Sequence, residues 1–460
     1  MGRGIGRGRL GIVLLWTLCA QAPAWAATPP ARKVGASFVA VDLSRPAPGR
    51  PRHFTREWFV SPTGSDQAPG TKQAPFRTIG RAVRSAGPGE AIRVAAGEYA
   101  EGIVIDGAVR AGREDAPITL LGEGQPRIVP AKGGGTLVQV RKPHWIVEGF
   151  DLDVRGEPRF AVLFAGDTRG AVLASCHIHH GSLGAGVATF GGASDVLITN
   201  NHIHHFHRKP RGDSHGVVVQ ATSRDITVRG NDIHDNSGDS VQCLLPDEPG
   251  EAPARGLVIE DNLLHDNVEN AVDIKTCRDV VIRRNTMHGF RKSPTSAGEA
   301  VVIHYSARDV RVEDNLVYDA GRGIAVGGSR EADQPSPVQV VVRGNVIHDI
   351  TRAGGSDGAG IRVENSRDVR VEGNTIDRTE GYGMMLGLGS NGAPSEDLTV
   401  RGNVIQGRHL VRLGQHRPGL KMGRNQYGPG GLFKVDPEET TSIAGWKKAS
   451  GVDQESTELR

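Results

Sequence analysis

An asparagine returns at a nearly constant interval through the middle of the chain. It stands at Asn201, Asn231, Asn262, Asn285, Asn315, Asn345, Asn374 and Asn403, in steps of 30, 31, 23, 30, 30, 29 and 29 residues. Around each lies the pattern apolar-x-apolar-x-x-Asn-x-apolar, as in Ile226-Thr227-Val228-Arg229-Gly230-Asn231-Asp232-Ile233. The alternation has period two, which belongs to strands and not to helices. A strand-period repeat of this length predicts a solenoid. Its coils stack about 4.8 Å apart, so an inward amide at one corner can bond to the coils above and below. Cys176 takes the asparagine place one coil earlier, and Phe150 the coil before that.

This repeat resembles the right-handed parallel β-helix proteins of the pectate lyase superfamily over roughly residues 58 to 450. The resemblance implies an all-β chain, a single-stranded right-handed parallel β-helix of roughly a dozen coils. Residues 58–90 open it, 91–430 form the coils, and 431–460 close it. The stretch from Trp58 to Val83 is similar to the opening motif of extracellular carbohydrate-active β-helices. In it Phe76, Ile79, Ala82, Val83 and Ala86 fall on one face of a short helix that can cap the first coil. The tail around Trp446 and Asp453 is similar to the closing segment of such proteins.

Residues 1–26 read as a secretory signal. Arg3, Arg7 and Arg9 precede an apolar run from Leu10 to Ala20, and Ala24-Trp25-Ala26 makes a small-x-small cleavage site. The run is too short to span a membrane. The expected location is the periplasm or outside the cell, with cleavage after Ala26. Residues 27–57, rich in Pro, Arg and Gly, are expected to form a flexible leader. The chain has 55 basic and 52 acidic residues. The signal holds three of the former and none of the latter, so the remainder is neutral and only local patches argue for a charged partner. Of three further cysteines, Cys176 is expected to be buried and inert. Cys243 and Cys277 fall at similar places in successive coils, and their spacing leaves a disulfide open.

The turn from Glu269 to Asn285 is the shortest and carries almost no insertion. Its neighbours carry loops before their second strand (206–214, 290–299, 351–358) and after it (244–256, 328–338, 388–396). Loops on both flanks turn that strand face into a groove. Alternation with Val219, Val241, Ile274, Ile303 and Val363 inward puts Gln220, Gln242, Lys275, His304 and Glu364 outward in one column. Ser240, Asp273 and Arg362 lie one position earlier on the same face. The first loops are basic (Arg208, Lys209, Arg211, Arg291, Lys292) and the second acidic (Asp247, Glu248, Glu251, Glu331, Asp333), which suits an anionic chain along one rim.

A lysine and a histidine one coil apart suit β-elimination on a uronic acid polymer. That reaction removes a proton α to a carboxylate and needs positive charge on the developing enediolate. Lys275 is the candidate base and His304 the candidate carboxylate-binding group. His215, Gln220, Gln242, Arg291, Arg362 and Glu364 are candidate substrate contacts. The arrangement resembles two groups of lysine-dependent β-helix lyases. Family-nine pectate lyases have a lysine below an acidic calcium cluster, and family-six lyases a lysine followed one coil later by an arginine, where this chain has His304. The first resemblance implies Ca²⁺ held by Asp239, Glu269 and Asp273. The bland alternative is that Lys275 is an ordinary strand lysine paired with Asp273 or Glu364.

Histidines recur three residues after the ladder place: His179, His204, His234, His265, His288 and His348. With His177 and His202 they offer transition-metal spacing, but a repeat copies its surface as well as its core, and the expected reading is a stacked surface ladder. No Asp-Asp pair or Gly-His-Gly of polygalacturonase-like enzymes occurs. A glycoside hydrolase, a uronate epimerase and a non-catalytic glycan-binding protein remain open. No P-loop, dinucleotide fingerprint or aromatic nucleic-acid face occurs, so no nucleic acid partner is expected. The expected partner is an acidic polysaccharide, bound by a monomer.

Overall fold

The residue before each ladder asparagine must turn the chain inward, and the sequence meets this with Gly, Asp, Asn or Arg in left-handed backbone. Gly230, Asp261, Arg284 and Asp314 have φ between 54° and 63°. Asp tolerates this conformation better than most residues and Gly does so freely. The corner repeats in a computed structural model that describes residues 40–459 except 134, 158, 209–211, 329–334 and 390–392. The expected signal at 1–26, and the leader as far as residue 39, lie outside the described residues. Among the described residues no helix is long and apolar enough to cross a membrane.

Each coil contributes one strand to each of three sheets of 14 strands. In one coil these are Arg278–Arg283 in sheet 1, Thr286–His288 in sheet 2 and Glu299–Ile303 in sheet 3. Neighbouring coils pair in parallel register, as Val258 with Val281 and Val272 with Val301. The exception is a C-terminal antiparallel pair between Leu432–Val435 and Glu438–Thr440. The inward positions are Val, Ile, Leu and Ala and are buried along the whole axis.

The asparagine ladder forms as expected. Asn285 Oδ1 accepts from the backbone N–H (3.0 Å) and the side-chain amide (2.9 Å) of Asn262, and Asn315 Oδ1 does the same for Asn285 at 3.0 Å each. Each amide also donates to a strand carbonyl, as Asn285 to Ile259 at 2.9 Å. Every ladder asparagine from Asn201 to Asn425 is fully buried, so this mutual satisfaction removes a cost that an unpaired amide would impose. Cys176 does occupy the ladder place, its N–H donating to Asn201 Oδ1 at 3.0 Å. Burial pushes its thiol up to about 12. Cys243 and Cys277 are joined in the core, with Cα atoms 6.3 Å apart.

The opening helix spans Ile79–Ser85, with the Thr78 hydroxyl accepting from the Arg81 N–H at its N-terminus. Phe76, Ile79, Ala82, Val83 and Ala86 are all buried. A closing helix, Ile443–Ser450, buries Trp446, whose indole N–H donates to Asp453 Oδ2 at 2.8 Å. From residue 40 onward the stretch expected to be a flexible leader is tied to sheet 1. The Asp42 N–H donates to Asn200 Oδ1 and the Ala47 N–H to Glu148 Oε2, each at 3.0 Å. Arg50 pairs with Glu148, and Ala47 packs on Ile146, Val172 and Ala174. These partners belong to distant coils, and composition alone does not reveal them.

Candidate functional site

The groove lies on sheet 3 where the short coil meets its longer neighbours. It encloses about 530 Å³. Lys275, His304, Asp273, Gln242 and Glu364 line its floor, and Glu269, Thr295, Ser296 and Tyr305 its side. A second depression of about 410 Å³ lies on sheet 1, lined by residues such as Val281, Asp309, Arg311 and Val341. Those alternate in charge and apolarity along a flat sheet, so the convergent polar groups are those of sheet 3.

Asp273 is the hub. His304 Nε2 lies 2.6 Å from its Oδ1, Lys275 Nζ 3.6 Å from its Oδ2, and the Gln242 amide donates to Oδ2 at 3.1 Å. A carboxylate can only accept here, so Nε2 of His304 carries the hydrogen. Burial alone would raise the Asp273 carboxyl, but the positive charge and hydrogen bond of His304, with Lys275 and Gln242, hold it below the ordinary range. Lys275 keeps a fifth of its side chain exposed, toward the groove.

Behind this layer Asp239 is fully buried. Its Oδ1 accepts from the Asn270 N–H (3.0 Å) and amide (2.7 Å), and its Oδ2 from the Gln242 amide (2.9 Å). One Gln242 amide nitrogen thus bridges Asp239 and Asp273. Glu269 accepts from the Thr295 hydroxyl. Burial first, then the nearby Asp239 and Asp213 carboxylates, push its carboxyl up to about 7. It is a proton-holding carboxyl at the groove side near neutral pH.

Several expected residues sit elsewhere. Gln242 is not in the Lys275 column. It pairs in register with Asp273, and the inward partner of Ile274 is Cys243 and not Val241. Ser240 does not share the outward face with Asp273 either. It is fully buried, its hydroxyl accepting from the Asn267 amide at 2.6 Å. Counting from the ladder gives this register, since Gln242 stands eleven residues after Asn231 and Asp273 eleven after Asn262. His215 is buried behind the wall and not at the mouth, its Nδ1 accepting from the Asp239 N–H at 2.8 Å. Gln220 does not line the groove. Arg291 turns away to Asp319, at 2.6 Å and to its carbonyl at 2.7 Å. Of the rim charges, Lys209, Arg211, Glu331 and Asp333 lie outside the described residues.

Arg362 lines the groove but is held in ion pairs, to Glu364 at 2.9 and 2.8 Å and to Asp357 at 2.6 Å. Arg322, which the sequence reading did not single out, bonds Glu299 at 2.6 Å and Asp357 at 2.7 Å. Burial would raise Asp357, but the two guanidinium groups outweigh it and hold it down to about 2. Asn270, Thr295, Tyr305 and Glu299 were also missed. Their signal was adjacency to Glu269 and His304, or position in the 290–299 loop.

The oxygens expected to hold Ca²⁺ are otherwise engaged. Both Asp239 oxygens and both Asp273 oxygens already take donors, one of them near an ammonium group. Calcium takes six to eight oxygen ligands, and of these three residues only Glu269 keeps an oxygen that takes no donor, so the set does not fit calcium as arranged.

Comparison with known proteins agrees with this architecture. No match was found among curated proteins. The family described as right handed beta helix region matches residues 158–289 and 295–413, and one described as a protein of unknown function matches residues 62–105. Among solved structures, the Dettilon tailspike protein is 15% identical, with TM-score 0.50, over 69% of this chain. This chain spans 62% of the tailspike's length. Pectate lyase Pel9A is 17% identical, with TM-score 0.42, covering 78% of this chain and 77% of its own. The A-module of the Azotobacter vinelandii mannuronan C-5 epimerase AlgE4 is 14% identical, with TM-score 0.44, over 82% and 91%. At 15% identity the likeness to the tailspike bears on the fold alone. With the family match covering more than half the chain and three parallel sheets wound around one core, the protein belongs to the right-handed β-helix family.

Proposed function

We propose that this is a secreted or periplasmic polysaccharide lyase that cleaves a uronic-acid-containing polymer by β-elimination. The observation that carries the reading is Asp273 held between Lys275 and His304 on the floor of an open groove. In this reading Lys275, after giving its own proton to solvent, takes the C5 proton. His304, oriented by Asp273, faces the substrate carboxylate and stabilises the enediolate. Glu269, which holds its proton near neutral pH, donates to the departing O4. Arg322 and Arg362 are engaged by carboxylates, so they shape the groove.

The raised Glu269 carboxyl also favours a second reading, a glycoside hydrolase, because such enzymes need one carboxyl kept protonated beside an ionised one. Both readings are tested by incubating the protein with pectate, alginate, chondroitin and heparin-type polymers, with and without Ca²⁺. Product absorbing in the ultraviolet band of unsaturated uronates supports the lyase. New reducing ends without that absorbance support the hydrolase. C5 inversion without chain cleavage, read by NMR, identifies an epimerase, and binding without product a glycan-binding protein.

A further inference from the structure

Sheet 2 carries a histidine cluster that the groove does not use. In the coils of Asn231, Asn262 and Asn345 the third and fourth residues after the ladder asparagine are His-Asp. His234 with Asp235, His265 with Asp266 and His348 with Asp349 make Nδ1 to Oδ2 contacts of 2.7, 2.7 and 2.6 Å. Two consecutive coils instead read His177-Ile178-His179-His180 and His202-Ile203-His204-His205. A copied surface column explains the third histidine of each coil. It does not explain the first, where other coils have Asp151, Asp232, Leu263 or Thr286, nor the fourth, where aspartate is usual.

The first place of one coil meets the third place of the next. His179 Nε2 donates to Asp151 Oδ1 at 2.6 Å, His177 Nε2 lies 2.7 Å from His204 Nε2, His202 Nε2 lies 2.6 Å from His234 Nε2, and His265 Nε2 donates to Asp232 Oδ1 at 3.1 Å. Two imidazole pairs are therefore bracketed by two carboxylate–imidazole pairs. The rings of His177 and His202 stack at 5.2 Å and those of His204 and His234 at 5.0 Å. One ligating nitrogen each from His177, His202 and His204 falls within a 4.8 Å span. Each imidazole pair can share only one hydrogen, so a lone pair is held against a second ring nitrogen. Asp151, 3.7 Å from His177 Nδ1, adds negative charge on the far side of that ring.

We propose that His177, His202 and His204, with His234 completing the set, bind a transition-metal dication of the zinc, copper or nickel class. Imidazole nitrogens suit these ions and not calcium or magnesium. Nitrogens about 2.0–2.1 Å from a tetrahedral zinc stand about 3.3 Å from one another. The paired nitrogens stand 2.7 and 2.6 Å apart, so the ion enters by opening the pairs by under about 1 Å. The site lies on a different sheet from the groove and does not depend on the proposed lyase reading.

The test is zinc titration of the untagged full chain by calorimetry, with Ca²⁺ as control. The expected result is one saturable equivalent of Zn²⁺, a melting temperature raised by Zn²⁺ and not by Ca²⁺, and a Cu²⁺ electron paramagnetic resonance spectrum with coupling to several nitrogens. The double variant His177→Thr, His202→Leu, which places residues other coils already carry there, should weaken Zn²⁺ binding at least about tenfold. His348→Gln, elsewhere on the same sheet, should leave binding unchanged. Absence of saturable Zn²⁺ binding by the unaltered protein, a copper spectrum with oxygen ligands only, or full binding by a folded double variant would overturn the site.

Discussion

His304 reaches back one coil to Asp273, Nε2 to Oδ1 at 2.6 Å, while the Gln242 amide reaches the other Asp273 oxygen from the opposite coil at 3.1 Å. Three successive coils thus meet on one carboxylate, and that carboxylate also lies 3.6 Å from Lys275. The groove floor is a polar network that spans the coil stack.

Removing the hub should cost more than removing either partner. Asp273→Ala leaves Lys275 and His304 beside each other without a counter-charge and Gln242 without an acceptor. Breaking a buried charge pair this way costs about 3–5 kcal/mol, toward the low end here because both partners are partly exposed. Denaturant melts of Asp273→Ala and Lys275→Ala test this. Equal stability of the two variants would show that Asp273 does not organise the floor.

Lys275→Ala should leave the fold intact and lower turnover by about 10²–10⁴, the usual contribution of a general base. Lys275→Arg should fail almost as badly, since a guanidinium does not give up a proton near neutral pH. His304→Ala should keep part of the activity. These are read on whichever polymer the screen identifies. Full turnover in Lys275→Arg would make the lysine a fixed charge, and an unchanged Lys275→Ala would make it a structural partner of Asp273.

Glu269 gives the stability a pH dependence. Its carboxyl is carried from the ordinary 4.5 to about 7, so the folded chain holds a proton that the unfolded chain has released. The stability this confers is fully present below about pH 4.5 and is lost as pH rises through about 7, a fall on the order of 3 kcal/mol. Asp357, held down to about 2, works in the opposite sense but only at acid pH below this window. Glu269→Gln should flatten the fall in melting temperature between pH 4.5 and 8. An identical pH profile for variant and parent would place the proton elsewhere.

Asn315→Leu removes the acceptor of the Asn285 N–H and amide and the donor to the Ile282 carbonyl. Leaving such groups unpaired in the core should cost about 1–3 kcal/mol. A thermal melt unmoved by the substitution would mean that the ladder contributes nothing net.

The repeat was legible because it is enforced at every coil. Each ladder asparagine must pair with its neighbours, and each flanking pair of apolar residues must face inward, so the spacing of Asn231, Asn262, Asn285 and Asn315 already implies a stack. The opening helix was legible for the same reason, since Phe76, Ile79 and Val83 have one face to bury. The strand that carries Lys275, and the exposure of Lys275 and His304 on one face, followed from alternation.

Which residues touch across coils was decided by tertiary structure. Loops of unequal length precede the groove strands, so residues that look equivalent by strand pattern need not pair. Gln242, which lies opposite Asp273 and not in the Lys275 column, is the one such case that counting from the ladder would have given. His215 opens the strand His215–Val219 and Arg291 lies in the 290–299 loop, and their partners Asp239 and Asp319 drew them behind the wall and away from the groove. A solenoid encodes its coil in local sequence, whereas the site on its surface depends on how unequal loops bring charges from different coils within hydrogen-bond distance.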